Sequence, residues 1–97
     1  MISLSFLLLM YFVYILKSQK DGTYYIGYTG KRVEERLIEH NKGKSKYTKG
    51  HIPYEITKYI SCKTKKKAKE LEIRYKQIKN VMEVIEKMGS PDSSNRD

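Results

Sequence analysis

The sequence has no tryptophan, only two prolines and a single cysteine, Cys62. A lone cysteine forms no internal disulfide, so nothing marks the chain for an oxidising compartment, and its simplest role is a small buried strand residue. With 97 residues there is room for one modest core and none for a second domain. Acidic residues are also scarce: 11 Asp and Glu face 20 Lys and Arg, a formal charge of +9. A field of that sign draws polyanions, whether nucleic acid, anionic membrane or acidic protein.

Charge is missing altogether from the first sixteen residues, "MISLSFLLLMYFVYIL". The stretch lacks the basic n-region and small-residue cleavage site of a signal peptide, and it falls short of the roughly 20 apolar residues of a spanning helix. We therefore expect a cytoplasmic protein with no stable membrane association. Residues 1–9 are expected to be an apolar extension or a start-site artefact, with Met10 the working start; a short membrane anchor is the competing reading. Tyr11 to Leu16 is rich in β-formers and reads as a buried strand.

What the sequence has in excess is tyrosine, nine in all, concentrated in "YFVYIL" and "YYIGYTG". Tyr11–Lys17 and Thr23–Tyr28 read as two strands joined through "SQKDG", where Asp21-Gly22 tolerates the positive φ of a tight turn. "KRVEERLIEHNKG" puts Val33 and Leu37 one turn apart with Gly43 as a stop, which predicts a helix over 31–42. "KGKSKYTKGHIP" reads as a basic loop and "YEITKYISC", Tyr54–Cys62, as a third strand. Thr64 can cap a helix through "KKKAKELEIRYKQIK", and Val81, Val84, Ile85 and Met88 continue its apolar stripe past Asn80, which either bends or splits it. The tail "GSPDSSNRD" reads as disordered. The expected fold is α+β, a small three-stranded antiparallel sheet flanked by helices in the order β-β-α-β-α, with the domain over 10–88 and the tail over 89–97.

Side chains alternate across a strand, so hairpin register decides which tyrosines share a face. A loop of Gln19 to Gly22 sets Tyr14 opposite Gly27, with Tyr25 one diagonal step away on the same face. Two phenols then flank a position with no side chain, either a notch that admits a phosphate or a simple bulge. Arg36 and His40, four apart on one helical face, supply a fork that matches phosphate and a group that holds or moves a proton near neutral pH. Both are also ordinary residues of a solvated helix face, and Glu34, Glu35 and Glu39 read as solvated partners for nearby cations. On the last helix Ala68, Leu71, Tyr75 and Ile78 form an inward stripe that includes Glu72. An inward carboxylate needs compensation, from Arg36, from Lys76 or from a hard divalent cation such as Mg²⁺.

Taken in order, "FVY" at Phe12–Tyr14, "YIG" at Tyr25–Gly27, "RLIEH" at Arg36–His40 and the carboxylate of Glu72 resemble the GIY-YIG nuclease superfamily. The likeness is closest to its small standalone bacterial members, the UPF0213 group. Each triplet alone is weak; the ordered set over Tyr11–Lys79 is specific. "FVY" departs from the nominal first triplet, and the gap from Tyr25 to Arg36 is one residue longer than usual.

The resemblance implies a metal-dependent endonuclease that hydrolyses DNA phosphodiester bonds, of the kind found in repair and recombination. Tyr14 and Tyr25 match the motif tyrosines, one of which activates the attacking water. Arg36 matches the arginine that neutralises the scissile phosphate, and His40 the histidine that assists a tyrosine or the leaving group. Glu72 matches the single carboxylate that holds the metal, Mg²⁺ with Mn²⁺ as the alternative. The expected substrate contacts are Gly27, Lys31, Lys46, Tyr47 and Lys76, and the partners are DNA and a specificity-conferring protein. A nucleic-acid-binding module that keeps the fold with weak or no catalysis is the alternative. A free phenol has a pKa near 10, so a neighbouring cation such as Arg36 or Lys31, or a metal at Glu72, is needed to make it a base.

Overall fold

The computed structural model describes residues 10–88. The stretches expected to be an N-terminal extension and a disordered tail, 1–9 and 89–97, lie outside the described residues.

Strand β1, Tyr11–Ser18, is the centre of a three-stranded antiparallel sheet, flanked by β2, Tyr24–Thr29, and β3, Tyr54–Cys62, in the order β2-β1-β3. A central strand covered on both faces reads as a continuous apolar run, which is why "VYIL" shows no alternation. Val13 and Ile15 enter one core with Cys62, Ala68, Tyr75, Val84 and Met88; Tyr14 and Leu16 enter a second with Val33 and Tyr54. Val13, Ile15 and Leu16 are each fully buried, and burying a side chain of that size contributes about 1.5–3 kcal/mol.

The hairpin turns through Gln19–Gly22, with Ser18 N donating to the Thr23 carbonyl at 2.7 Å and Gly22 at φ +78°. This places Tyr14 opposite Gly27. On the other side of β1 the register slips by one residue between Ile15 and Leu16, so that Thr57 is the extra residue of a bulge in β3. The slip explains a break in the sequence: Tyr54 and Ile56 share a face, and the same face is resumed at Tyr59, three residues on, opposite Tyr14 and edge-on to Phe12.

Helix α1, Val33–Asn41, covers the Tyr14 face and ends at Gly43, whose φ of +78° lets its N–H reach the His40 carbonyl at 2.9 Å. Gly30–Arg32 forms the short connection from β2 to α1. Helix α2, Lys65–Lys76, is capped by Thr64, whose hydroxyl accepts from Lys67 N at 3.1 Å, and packs Ala68 and Tyr75 on the opposite face of the sheet. The last helix expected from the sequence is two. Asn80 accepts from Met82 N at 2.9 Å and starts α3, Val81–Met88, because its short amide competes for the backbone donors that would continue α2. The order is thus β-β-α-β-α-α, with a short 3₁₀ turn at Lys49–His51 before β3. Among the described residues no helix is long and apolar enough to cross a membrane.

One side chain fastens α1 to β3. Asn41 donates from Nδ2 to the Tyr54 carbonyl at 3.1 Å and accepts the Tyr54 N–H at 2.7 Å, replacing the strand partner that the start of β3 lacks on that side. Asn41→Ala leaves both backbone groups without a protein partner, so we expect about 1–3 kcal/mol of lost stability in urea unfolding, with an unchanged far-ultraviolet circular dichroism spectrum.

Candidate active site

Four of the five residues expected to act in catalysis meet on the α1 face of the sheet. The Tyr14 hydroxyl lies 2.9 Å from His40 Nε2, and His40 Nδ1 lies 2.7 Å from Thr48 Oγ1. Tyr14 is 1 % exposed and His40 and Thr48 are fully buried, so the three form a chain closed to water. The Arg36 guanidinium lies near the Tyr14 phenol, and its charge favours the phenolate. The phenol is protonated at neutral pH, so its O–H can donate to Nε2. The neutral imidazole then carries its own proton on Nδ1 and gives it to Thr48. Thr48 is the member that the sequence concealed, a single threonine inside a run of lysines. It anchors the basic loop "KGKSKYTKG" to α1.

Tyr25 lies beside this chain, its ring 6.3 Å from that of Tyr14 and 5.1 Å from His40. Glu72 approaches from α2, and its charge bears on both phenols. It pairs with Lys76 Nζ at 3.5 Å, one helical turn on, and that same ammonium sits 5.6 Å from the centre of the Tyr25 ring. Lys76 therefore links the carboxylate to the exposed side of the cluster. Arg36 is fixed by Glu39 at 2.8 Å, and Lys31 closes on the same carboxylate. Glu39 is a clamp more than a solvated partner, and Lys31 serves it in place of the tyrosines. Lys46 and Tyr47 are exposed, Tyr47 by 83 %, and Tyr47 stands close enough to affect Tyr25 electrostatically. His51 pairs with Asp21 at the hairpin turn, away from the cluster.

Gly27 has a different role from the one its position promised. A Cβ there would lie 2.8 Å from the Tyr14 hydroxyl and 2.8 Å from a ring carbon of Tyr25. The space is taken by the two phenols, so no notch is left for a phosphate. There is no bulge at Gly27 either, since the pairing with Tyr14 is regular. Glycine is required because the rings lie over the backbone.

Burial sets the protonation states. It pushes the Tyr14 phenol up to about 12, with Tyr25 adding to the effect and Arg36 offsetting part of it. Burial likewise raises Tyr25, with Glu72 adding and Arg36 opposing. It drives His40 down to about 4, helped by the Arg36 charge, so the imidazole is neutral at physiological pH. Glu39 is held down at about 2 by its hydrogen bonds from Lys31 and Arg36.

The profile of the GIY-YIG catalytic domain matches residues 10–83. A UPF0213 protein of Halobacterium salinarum is 41 % identical over 70 residues, covering 71 % of this chain and 88 % of its own. The chain is a UPF0213 member of the GIY-YIG family. A UPF0213 protein of Staphylococcus saprophyticus is 39 % identical over 80 residues, covering 75 % of this chain and 95 % of its own. The solution structure of a UPF0213 protein from Bacillus halodurans superposes with a TM-score of 0.50 at 30 % identity, covering 90 % of this chain and 95 % of that one. Nucleases of the GIY-YIG class generally use a divalent metal. Among the described residues no three His, Cys, Asp or Glu side chains gather as a cage, and Glu72 is the one carboxylate at the tyrosines. That donor set fits Mg²⁺, which binds through one or two carboxylates, waters and substrate phosphates, and does not fit a tetrahedral zinc site.

Two predictions follow from the packing and burial. Gly27→Ala forces the phenols apart in a closed site and should cost about 1–3 kcal/mol, read as a lower urea midpoint together with perturbed Tyr14 and Tyr25 ring resonances in NMR. Unfolded histidine titrates near 6.5 and His40 near 4, so the unfolded chain takes up a proton that the folded chain refuses between those values. Stability should therefore be full above about pH 6.5 and fall by up to about 3 kcal/mol as pH drops toward 4. Urea unfolding across that window, with His40→Gln as control, should show this slope in the natural sequence and lose it in the variant.

Proposed function

We propose that this GIY-YIG domain is a Mg²⁺- or Mn²⁺-dependent endonuclease that hydrolyses DNA phosphodiester bonds. The observation that carries the reading is the joining of the Tyr14–His40 hydrogen bond, Arg36 and Glu72 at one pair of phenols. Hydrolysis by in-line attack of water needs a proton acceptor, a cation for the phosphate and stabilisation of the leaving oxygen.

With a pKa of about 12, Tyr14 is almost wholly protonated at neutral pH and is no phenolate waiting for substrate. Its link to His40 removes that need: once substrate binding admits the attacking water to the buried hydroxyl, the phenol takes a proton from it while passing its own to Nε2. Burial and Arg36 oppose charge on the imidazole. A phosphate engaging Arg36 offsets the second of these by neutralising the guanidinium, so substrate arrival favours the transfer. Thr48, 2.7 Å from Nδ1, can accept the Nδ1 proton of the tautomer in which Nε2 is the accepting nitrogen. Tyr25 and Arg36 are the partly exposed members of the cluster and meet the substrate first. A divalent ion held by Glu72 would supply Lewis-acid stabilisation of charge on the phosphate and the leaving oxygen. For Glu72 to serve as its ligand, Lys76 must release the carboxylate, and the incoming phosphate offers that ammonium a new partner. Lys46 and Tyr47 join the substrate surface. Specificity comes from the shape of the DNA or from a protein partner, and repair or recombination intermediates are the substrates that suit shape selection.

A binding module without catalysis is the second reading, favoured by the burial of Tyr14 and the Glu72–Lys76 pair. Labelled duplex, flap, branched and single-stranded DNAs, incubated with Mg²⁺, Mn²⁺ or chelator, decide between them. We expect metal-dependent cleavage that falls at least about a hundredfold in Glu72→Gln, with DNA affinity in chelator changed by less than about threefold. Undiminished cleavage by Glu72→Gln would sink the metal-ligand assignment, and salt-sensitive binding with no cleavage on any substrate would leave the binding module.

A further inference from the structure

A groove of about 520 Å³ opens beside the catalytic cluster, between β2, the Tyr47 loop and the junction of α2 with α3. Its walls carry four tyrosines, Tyr24, Tyr25, Tyr47 and Tyr75, and two lysines, Lys76 and Lys79. Tyr24 and Tyr75 also belong to the main core, so one side of the groove is fixed by packing. Tyr47 stands on the other side, 83 % exposed. An aromatic ring left that far in water contributes nothing to the core; its ring is available to something outside the fold. Tyr25 is shared, forming a wall of the groove and lying against Tyr14 and His40.

We propose that this groove is a subsite for an unpaired nucleobase of the bound strand, stacked on Tyr47 while its phosphates meet Lys76 and Lys79. The inference rests on the nucleic-acid reading above and adds to it where a base is held and in what state. The volume suits a group the size of a nucleobase, and every base offers a flat π-face to a tyrosine ring irrespective of sequence. The lysines supply charge complementary to the strand, in a chain whose net charge is +9. A base paired inside a duplex keeps both faces stacked on its neighbours and cannot enter, so the groove selects strands with unpaired positions. Because Tyr25 is common to groove and cluster, a nucleotide seated here brings its own backbone to the reacting side chains.

The test is equilibrium binding, which does not depend on cleavage. Fluorescently labelled eight-nucleotide oligothymidylate and an abasic strand of the same length and phosphate count are titrated with the natural chain in chelator. Stacking of one base on a tyrosine predicts at least about fivefold tighter binding of oligothymidylate than of the abasic strand. Tyr47→Ala should abolish that preference, and Tyr47→Phe should retain it. Tyr47 is exposed, so neither variant threatens folding. Equal affinity for the two strands in the natural chain, or a loss in Tyr47→Ala that is the same for both, would overturn the subsite while sparing the nucleic-acid reading. Failure to bind these strands and duplex DNA alike would remove that reading and the subsite with it.

Discussion

The site depends on one buried hydrogen-bond chain, Tyr14 to His40 to Thr48, closed over a glycine. Polar groups removed from water must find partners inside the protein, and here each is partnered by the next. Among the described residues no fully buried side-chain nitrogen or oxygen lacks a partner. That requirement couples three separate parts of the chain. β1 supplies the phenol, α1 the imidazole, and the basic loop the hydroxyl at its Nδ1. Losing either end leaves a buried imidazole nitrogen unsatisfied, and losing His40 leaves both hydroxyls so, which is why the loop is drawn against the helix despite its lysines.

The same burial that orders the chain also works against its chemistry. Low polarity holds the phenol protonated and the imidazole neutral, so neither is charged before substrate arrives. Around this neutral core the ions are placed at the exposed side, each already engaged: Arg36 with Glu39, and Glu72 with Lys76. The arrangement is a set of ion pairs over a fixed hydrogen-bonded chain. A polyanion would exchange those partners without moving the backbone, since the helices that carry them are held by separate apolar cores on the two faces of the sheet.

Local signals made much of this legible. The Asp21-Gly22 turn, the Gly43 stop and the Thr64 cap each act over a few residues, and each lies where its chemistry predicted. Hairpin register followed from the turn, and with it the meeting of Tyr14, Gly27 and Tyr25 on one face. The spacing of Arg36 and His40 marked a shared helical face, although not that this face turns inward for histidine and outward for arginine. The misjudged residues are those whose partners are distant in sequence. Gly27 looked like an opening because the volume of the rings across from it is not written in the strand. Thr48 went unmarked because its partner is a helix residue whose depth only packing sets.

The sequence by itself determined the elements, the hairpin register and the order of the motif residues, because backbone preference, capping and alternation are governed by near neighbours. It also determined the charge, which draws polyanions without choosing among them. Only the tertiary structure decided that the rings fill the space over Gly27, that Lys31 serves Glu39, that Asn80 divides the last helix, and that Tyr47 faces a groove. Those outcomes turn on how side chains from separate elements compete for one volume or one charge. That competition exists only once the sheet has brought the elements together.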